Sequence, residues 1–424
     1  MRCGTSQLMQ AIIYPSSVHG TVQASASKSM SQRAIAAALL ANGRSTLRHI
    51  TDCNDVQAAL NIACTLGAKI CCRDNELLVD GGFNPSKDML NCRESGLCMR
   101  MFAPIVALHG EMLTMTGEGS LLKRPLGGVE AVFTQLGISC TTHNGFLPLT
   151  LKGPLRGGSI RMDASLTSQL LTGLLMALPL AANDSEIEVL NLKSKPYIDM
   201  TIALLSQFGI KTAHNDYSRF QIKGGQKYVP TCYTVEGDWS GAAFLLVAGA
   251  FNGNVSVTNL SADSFQADKL ICEALQLAGA HVYMGGSCEV KKNELQAFHF
   301  DAGECPDLVP PLAALAAHCK GTTFIRGAKR LKHKESNRAA VLQEEFAKLG
   351  VKIVIQEDVM MIEGGIVQGG AVHAHNDHRI AMALATAAVT SVSPVTIEGA
   401  DCINKSYPNF FHDLKTLNIH CHYE

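Results

Sequence analysis

The sequence predicts an α/β fold of six repeated units, with the helices buried, the sheets outside, and the units shared between two lobes. Three observations lead to this prediction. Two sequence markers recur with one period along the chain, the helical segments are apolar on nearly every side, and the last repeat is cut short. A period of about seventy residues in a chain of 424 accommodates six units.

The first marker is a Gly that ends a predicted helix and precedes a strand, as in TLGAKI and KLGVKI. A Gly in this place is typical of the left-handed residue that terminates a helix. Successive markers lie 70, 72, 70, 71 and 68 residues apart. They are Gly67, Gly137, Gly209, Gly279, Gly350 and, in a degenerate sixth copy, Asn418.

The second marker is a turn that opens a strand of alternating pattern, 24 to 29 residues before the first marker. Each unit then contains an Ala/Leu-rich helix, a turn, a strand, a second helix and a strand pair, such as 68–73 and 76–80 around Asp74-Asn75. Helices such as RAIAAALLA are apolar almost all round, which predicts burial against several neighbours. The second markers are Gly43, Gly110, Asp184, Gly253, Gly321 and Ser393.

The last unit is truncated, because only six residues follow Asn418. The apolar segment 8–22 precedes the first unit and has no partner of its own there. We therefore expect the N-terminus to complete the last repeats, so that both chain ends share one lobe and the middle repeats form an inserted lobe. The alternative is that the N-terminus pairs with the first repeat.

The composition excludes several classes of protein. Lys and Arg number 36 against 37 Asp and Glu, and 47% of residues are hydrophobic, which is unlike disordered, fibrous or basic nucleic-acid-binding chains. The fifteen Cys are scattered without a CxxC pair, which favours a reduced, cytosolic protein. We expect neither a signal peptide nor a membrane span, since the longest apolar stretch, 170–182, is short and interrupted by Gly and Pro. Local clusters of cations must therefore meet any anionic ligand.

One such cluster is predicted in SASKSMSQR, where Lys28 and Arg33 accompany small hydroxyl residues at the start of a buried helix. A helix N-terminus with two cations is a site for phosphate or carboxylate. The segment lacks the GxxxxGK[ST] pattern of a P-loop. An ordinary capped helix with exposed basic residues is the alternative for this segment taken alone.

Comparable residues occur at the same place in most other units. Lys334 and Arg338 are four residues apart, so a helix would put them on one face with Glu335 beside them. Helix N-termini aimed at one place would add their dipoles into a field for anions. The residues are Gly96, Arg100, Lys123 and Arg124 in the second unit; Thr167, Ser168, Gln169, Ser194, Lys195 and Tyr197 in the third; Asp307, Lys334, Glu335 and Arg338 in the fifth; Asp377, His378, Arg379 and Lys405 in the sixth.

The motifs SKSMSQRA, LLKRPLGG, SKPYIDM, PDLVPPLAALA, KESNR, NDHRIAMA and NKSYP resemble, in order and spacing, those of the 5-enolpyruvylshikimate-3-phosphate synthase family. The resemblance covers essentially the whole chain. It implies an inside-out α/β fold of two lobes, each with three βαβαββ units, and crossovers near Ser25 and Gly237. Lobe one would be 1–25 plus 237–424, and lobe two 26–236.

The resemblance also implies the reaction: enolpyruvyl transfer from phosphoenolpyruvate to the 5-hydroxyl of shikimate 3-phosphate, with release of phosphate, on the route to chorismate and the aromatic amino acids. It implies a cytoplasmic monomer with these two small-molecule partners, no nucleic acid, no membrane, no cofactor and no metal. Shikimate 3-phosphate would contact Lys28, Ser29, Arg33, Thr167, Ser168, Gln169, Ser194, Tyr197, Asp307 and Lys334. Phosphoenolpyruvate would contact Lys28, Gly96, Arg124, Gln169, Arg338, Arg379 and Lys405.

Addition and elimination through a tetrahedral intermediate need a base at the hydroxyl and an acid at the methylene carbon. We assign Asp307 as the base and Glu335 as the proton donor, with Lys334 assisting. The HAH segment at 373–375 and the HCH segment at 420–422 are interpreted as strand residues rather than as metal ligands.

The chain departs from the family pattern in the loop ESGLCMRM, where NAGTAxRP is common. Leu97 and Met101 alter the wall behind Gly96, which predicts a changed sensitivity to glyphosate. Thr167 replaces a more common Ser, and Arg330 stands where some members have an Asn that touches shikimate 3-phosphate. Two alternatives remain: an enolpyruvyl transferase for UDP-N-acetylglucosamine, disfavoured by the SKSxSxR and NDHR motifs, and a non-catalytic anion-binding member.

Overall fold

The computed structural model of the chain describes residues 9–74 and 76–424, which form two compact units. Unit 1 contains residues 9–25, Gly237–Ser264 and Asp268–Glu424, and unit 2 contains Ala26–Glu236 with Phe265–Ala267. The predicted lobe one included the loop 265–267, but this loop groups with unit 2, because spatial neighbours rather than chain order define a unit. The first eight residues of the predicted lobe one and Asn75 of the predicted turn lie outside the described residues.

Within the described residues, strands and α-helices follow one another in a repeated order, strand–helix–strand–helix–strand–strand. The strands are β1 (Gln10–Ile13), β2 (Val18–Gln23), β3 (Gly43–Arg48), β4 (Lys69–Arg73), β5 (Glu76–Gly81), β6 (Met89–Asn91), β7 (Met112–Thr116), β8 (Ser139–His143), β9 (Phe146–Lys152), β10 (Ser159–Asp163), β11 (Ser185–Leu190), β12 (Thr212–Asn215), β13 (Arg219–Ile222), β14 (Cys232–Thr234), β15 (Gly253–Thr258), β16 (His281–Met284), β17 (Ser287–Lys291), β18 (His299–Asp301), β19 (Thr322–Arg326), β20 (Lys352–Gln356), β21 (Val359–Glu363), β22 (Gly370–His373), β23 (Val395–Glu398) and β24 (Cys421–Tyr423). The helices are α1 (Lys28–Leu40), α2 (Asn54–Thr65), α3 (Gly96–Val106), α4 (Val129–Gln135), α5 (Gln169–Ala177), α6 (Lys195–Gln207), α7 (Trp239–Asn252), α8 (Ile271–Leu277), α9 (Val309–Ala317), α10 (Arg338–Lys348), α11 (His378–Ala388) and α12 (Phe410–Thr416).

The strands of the described chain form six four-stranded sheets, three in each unit, which confirms the six-repeat α/β fold. Every sheet has the same plan: a parallel pair followed by two antiparallel pairings, as in the order β6-β7-β9-β8. In four of the sheets of the described residues, the two parallel strands are joined through one buried helix, as a crossover connection requires; the parallel pairs β14–β3 and β2–β15 join strands far apart in the chain. The leading strand of each repeat, such as β6 or β18, is three to five residues long in most units, and the sequence pattern had not revealed it.

Strands from near the chain start complete two sheets of unit 1. β1 lies between β23 and β24, with Ile12 opposite Thr396 on one side and His422 on the other. β2 pairs in parallel with β15 and so provides the leading strand of the fourth repeat. In unit 2 the leading strand of the first repeat is β14, which pairs in parallel with β3. The N-terminal segment therefore serves the fourth repeat as well as the sixth.

The first helix of each repeat is buried nearly all round, as its composition predicts. All eleven residues of α3, all nine of α9 and all eleven of α11 are buried. The second helices bury one face only; α4, for example, buries Val129, Val132 and Phe133. Helices α3 and α5 approach so closely that a Cβ atom at Gly173 would lie 2.4 Å from the Met101 carbonyl oxygen.

All six predicted helix-terminating markers have a positive φ, from 60° at Asn418 to 117° at Gly67. These values confirm the repeat marker, because the left-handed region is open to Gly and tolerated by Asn. Across the described residues, no helix has both the length and the hydropathy that a membrane crossing needs. The fourteen Cys of the described residues are free thiols.

Candidate active site

In unit 1 the predicted site residues come from turns at the N-terminal ends of three helices. Asp307 lies in a 3-10 turn, Pro306–Leu308, that leads into α9. Arg338 is the first residue of α10, and Arg379 is the second residue of α11. Lys405 ends the 3-10 helix Ala400–Lys405.

Lys334 and Glu335 do not lie on a helix, so the interpretation of KESNR as one helical face is wrong. They lie in the bend between the 3-10 helix Ala328–His333 and α10. Glu335 still reaches Arg338, because the bend folds its side chain back towards the start of α10. Charge contacts, rather than helical periodicity, bring these residues together.

Arg338 is the centre of the unit 1 cluster. Its guanidinium is 1% exposed and contacts the Asp307 Oδ1 at 2.9 Å, the Glu335 Oε2 at 2.5 Å and the Asp377 Oδ2 at 2.8 Å. Burial alone would lower the pKa of Arg338, but the carboxylates of Asp377, Glu335 and Asp307 outweigh burial and raise it. Arg338 is therefore a permanent cation that ties three carboxylates to the start of α10.

Asp307 is surrounded by cations. Besides Arg338, its carboxylate contacts the Lys334 Nζ at 3.2 Å and the Arg379 Nη2 at 3.3 Å. Burial acts to raise the pKa of Asp307, but Arg379, Lys334 and Arg338 together hold it well below its ordinary value. Burial also lowers the pKa of the Lys334 ammonium. Asp307 is thus ionised, beside an ammonium that gives up its proton more readily than an exposed lysine.

Two further acids of unit 1 belong to this cluster. Asp377 is fully buried; its side chain accepts from the Arg379 backbone N at the start of α11 and from the Ser336 hydroxyl. Asp268 is 1% exposed and bonds the Ser240 hydroxyl. Burial, with the nearby Asp307 carboxylate, raises the pKa of Asp268 to about 7. Asp377 was visible in NDHR, but the segment around Asp268 carries no charge pattern that would have signalled it.

In unit 2, Arg33 lies on α1 and is 1% exposed. Burial lowers the pKa of its guanidinium to about 10. Its hydrogen-bond acceptors are neutral oxygens, so its charge is available to an anion. The acceptors are the carbonyls of Ser29 at 2.9 Å and Tyr197 at 3.4 Å and the hydroxyls of Thr201 at 3.0 Å and Thr172 at 3.5 Å.

Lys28 begins α1, where its Nζ contacts the Asp55 carboxylate at 2.9 Å. Asp55 lies in the first turn of α2 and was missed by the sequence analysis, because acidic residues are common in first helical turns. Ser194 has a left-handed φ of 59° and directly precedes α6, which begins at Lys195 and contains Tyr197 in its first turn. Arg33 joins the motifs SKSMSQRA and SKPYIDM, because it donates to the carbonyl of Ser29 in the first and to that of Tyr197 in the second.

The ESGLCMRM loop forms the start of α3, and Gly96 is its first residue. A Cβ atom at Gly96 would lie 2.6 to 2.9 Å from the guanidinium atoms of Arg124, so a larger residue there would require the Arg124 side chain to move. The Arg100 Nη1 donates to the Gln169 Oε1 at 3.0 Å, and its Nη2 donates to the Pro125 carbonyl at 2.6 Å. Arg100 therefore joins α3 to the predicted ligand Gln169 and to the residue after Arg124.

Glu94, a departure from the family pattern, has a structural partner. Its Oε2 accepts from the backbone N of Ser120 at 2.8 Å, within the 3-10 helix Gly119–Lys123 that leads into Arg124. Thr167 and Ser168 precede α5, and the Thr167 hydroxyl accepts from the Gln169 backbone N at 3.2 Å. Arg330 directs its guanidinium to the Gly303 carbonyl.

Each unit thus brings several of the predicted residues into direct contact. In unit 1, one charge network joins Asp307, Lys334, Glu335, Arg338 and Arg379. The Lys405 Nζ donates to the carbonyl of Asn376, the residue before Asp377, at 2.7 Å. In unit 2, the contacts form smaller groups: Lys28 with Asp55, Arg33 with Ser29 and Tyr197, Gly96 with Arg124, and Gln169 with Arg100.

Comparison with known proteins gives a consistent result. A family model described as EPSP synthase (3-phosphoshikimate 1-carboxyvinyltransferase) matches residues 13–414. A 3-phosphoshikimate 1-carboxyvinyltransferase of Clostridium kluyveri is 39% identical over 410 residues, 96% of each chain. One of Clostridium acetobutylicum is 39% identical over 418 residues, 97% of each chain.

Solved structures share the fold at lower identity. An EPSP synthase from Acinetobacter baumannii matches with a TM-score of 0.83 and 24% identity, covering 98% of this chain and all of that one. The enolpyruvyl transferase NikO from Streptomyces tendae matches with a TM-score of 0.80 and 17% identity, covering 98% and 99%. With the sequence matches along almost its full length, the chain belongs to the EPSP synthase family.

Proposed function

We propose that this chain carries out the reaction of its family with the charge network of unit 1 as the acid–base apparatus and the cations of both units as anion ligands. As a member of that family it is a transferase: it moves the enolpyruvyl group of phosphoenolpyruvate to the 5-hydroxyl of shikimate 3-phosphate and releases phosphate. The observation that carries the assignment of roles is the contact of Asp307 with three cations beside Glu335.

The anionic groups of the substrates require buried cations. We assign shikimate 3-phosphate to Lys28, Ser29, Arg33, Thr167, Ser168, Gln169, Ser194, Tyr197, Asp307 and Lys334. Among the described residues, the hydrogen-bond acceptors of Arg33 are neutral oxygens, which supports this assignment because a buried guanidinium gains most from an anion when no carboxylate already pairs with it. Phosphoenolpyruvate is assigned to Lys28, Gly96, Arg124, Gln169, Arg338, Arg379 and Lys405.

In the addition step Asp307 removes the proton of the 5-hydroxyl, and the oxygen forms a bond to C2 of phosphoenolpyruvate. Glu335, a carboxylate beside Arg338, takes a proton from the Lys334 ammonium and gives it to the methylene carbon, which becomes a methyl group in the tetrahedral intermediate. In the elimination step Glu335 takes a methyl proton and returns it to Lys334 while the C2–O bond to phosphate breaks, and Asp307 returns its proton to the departing phosphate. Each residue ends in its starting state, and the double bond is restored in the product.

The charge environment supports these roles. Without substrate, the surrounding cations make Asp307 a weak base. The anionic groups of phosphoenolpyruvate offset the charge of Arg338 and Arg379, so binding raises the proton affinity of Asp307 where the base is needed. Lys334, whose pKa is lowered by burial, can supply a proton to the Asp307–Glu335 pair.

The proposed activity is tested by following phosphate release from phosphoenolpyruvate under three conditions: without an acceptor, with shikimate 3-phosphate, and with UDP-N-acetylglucosamine. We expect release only with shikimate 3-phosphate, together with a product whose mass contains the enolpyruvyl group. Release with the sugar nucleotide alone would assign the chain to the sister reaction. Binding of phosphoenolpyruvate without release under any condition would make it a non-catalytic anion-binding member.

A second prediction concerns glyphosate, which occupies the phosphoenolpyruvate site in this family. Leu97 and Met101 are buried in the first turns of α3, behind Gly96. Because a pocket difference of one or two carbon groups is worth about ten-fold in affinity, Leu97→Thr should change the glyphosate inhibition constant by about that factor. The exposed Leu122→Thr is the control. An unchanged constant in Leu97→Thr would show that this wall does not determine sensitivity.

We also propose a cytoplasmic location and a monomeric state. The free thiols of the described residues support a reducing compartment. The monomer follows from the family resemblance.

A further inference from the structure

The turn between β22 and α11 contains two consecutive residues in the left-handed region. His375 has a φ of 52° and Asn376 a φ of 55°, and neither is glycine. Such a conformation is sparsely populated and persists where the surroundings hold it in place. The turn matters because it presents the Asn376 carbonyl to the Lys405 Nζ at 2.7 Å and leads directly into Asp377 and Arg379.

The buried carboxylate of Glu345, on α10, holds this turn. Its Oε2 accepts from the His373 backbone N at 2.8 Å, and its Oε1 contacts the His375 Nε2 at 2.7 Å. The turn is also closed on itself, since the His375 backbone N donates to the His373 Nδ1 at 2.8 Å. One fully buried side chain thus binds the turn at its first residue and at its left-handed histidine.

Helix α10 holds the same turn at a second point. Arg338, at the start of α10, bonds Asp377 through Nε at 2.8 Å and Nη2 at 3.1 Å. Arg338 and Glu345 are seven residues apart, so they lie two turns apart on one helical face. The segment from His373 to Asp377 is therefore fastened to one face of α10 at both of its ends.

The same side chains also suggest a metal site, but the chain already supplies a cation there. Donor atoms of Glu344, Glu345 and His375 lie within 4.8 Å of one another. The Lys348 Nζ, however, lies 2.7 and 2.8 Å from the two Glu345 oxygens and 3.9 Å from Glu344. Burial acts to raise the pKa of Glu345, but the hydrogen bonds from Lys348, His375 and the His373 backbone hold it below its ordinary value. The Glu345 carboxylate is therefore charged, and the Lys348 ammonium occupies the place that a metal ion would take.

We propose that Glu345 and His375 are positioning residues for phosphoenolpyruvate binding, which hold the left-handed turn so that Lys405 and Arg379 are placed for the anion. The inference rests on the proposed function for the identity of the ligand. It gives the HAH segment a role that strand pairing alone does not explain, since only His373 belongs to β22.

The test compares Glu345→Gln and His375→Asn with the wild type in steady-state assays. Asparagine tolerates the left-handed conformation but is too short to reach Glu345, so His375→Asn removes the contact and keeps the backbone preference. We expect both variants to raise the KM for phosphoenolpyruvate about ten-fold while the KM for shikimate 3-phosphate stays within about two-fold. The matched control is Glu344→Gln, the neighbouring exposed carboxylate, which should behave as the wild type.

A folded variant with an unchanged KM for phosphoenolpyruvate would overturn the proposal. So would an equal rise in both KM values, because general loosening of unit 1 would not select one substrate. The secondary-structure content and the urea midpoint of each variant show whether it is folded. If Glu345→Gln does not fold, the milder substitution Glu345→Asp takes its place in the test.

A double-mutant cycle tests whether the effect passes through Lys405. Calorimetric titration with phosphoenolpyruvate and no acceptor measures binding without turnover. It therefore gives an equilibrium Kd even for variants without activity. In a Lys405→Met background, His375→Asn should change this Kd by less than about two-fold, against about ten-fold in the wild-type background. Equal effects in both backgrounds would overturn the coupling. A wild type that binds phosphoenolpyruvate but does not turn over would instead contradict the proposed function and leave the cycle interpretable.

Discussion

Replacing Asp307 by Asn should reduce kcat by about a thousand-fold, because a positioned acid–base group contributes on the order of 10²- to 10⁴-fold. Asn keeps the shape of the side chain but cannot take the proton of the 5-hydroxyl. Steady-state phosphate release at saturating concentrations of both substrates measures the effect.

The fold of the Asp307→Asn variant should persist, because its cations keep other partners. Arg338 retains Glu335 and Asp377. The exposed Asp263→Asn, on a surface turn of unit 1, is the matched control and should keep the wild-type rate. A kcat within about three-fold of the wild type in Asp307→Asn would exclude Asp307 as the base.

Replacing Arg338 by Gln should have the largest effect on stability. The substitution leaves three carboxylates without their shared cation, and Asp377 among them is fully buried. Breaking a buried ion pair from one side costs about 3 to 5 kcal/mol. We expect a loss of this size in the free energy of unfolding in urea at pH 7, together with loss of detectable phosphate release.

The loss should depend on pH in a defined direction. In the wild type the pKa of Asp307 is held well below its ordinary value, so its stabilising contribution is complete above the unfolded pKa. That contribution disappears as the pH falls through the folded pKa. In Arg338→Gln the pKa of Asp307 returns towards the unfolded value of about 3.9, so the difference between the two proteins should shrink below about pH 4.

Arg338→Lys is the control that retains the charge. A single ammonium cannot match the planar guanidinium that contacts three carboxylates. The loss of stability in Arg338→Lys should therefore lie between zero and the loss in Arg338→Gln. A loss that is the same at pH 7 and at pH 3.5 would show that packing, rather than charge, explains the Arg338→Gln effect.

Much of the fold could be predicted because its signals are local and repeated. A Gly in the left-handed region and an Ala-rich helix are each defined by a few neighbouring residues, and six copies make the period visible. The short leading strands were implied by the family resemblance alone, because three-residue segments such as Met89–Asn91 carry too little pattern of their own. The identity of the strands that complete each sheet depends on long-range pairing, as β14 with β3 shows.

The candidate site was predicted unevenly. Residues in charged motifs, such as Asp307 and Arg338, were found because cations and carboxylates are conspicuous at helix starts. Asp55, which pairs with Lys28, and Asp268, which bonds Ser240, were not found, because single acidic residues in loops and first turns have many ordinary roles. The helical interpretation of KESNR failed because the attraction of Glu335 to Arg338 also forms in a bend.

By itself, the sequence determined the six-fold repeat and the burial of one helix in each unit, and its motifs identified the family. The repeat and the burial follow from composition and spacing, which each segment carries alone, whereas the family follows from the resemblance of the motifs. Only the tertiary structure decided which strands close each sheet, which carboxylates share Arg338, and that Glu345 fastens the turn before Asp377. Such contacts join residues far apart in the chain, and their formation depends on the packing of several elements at once.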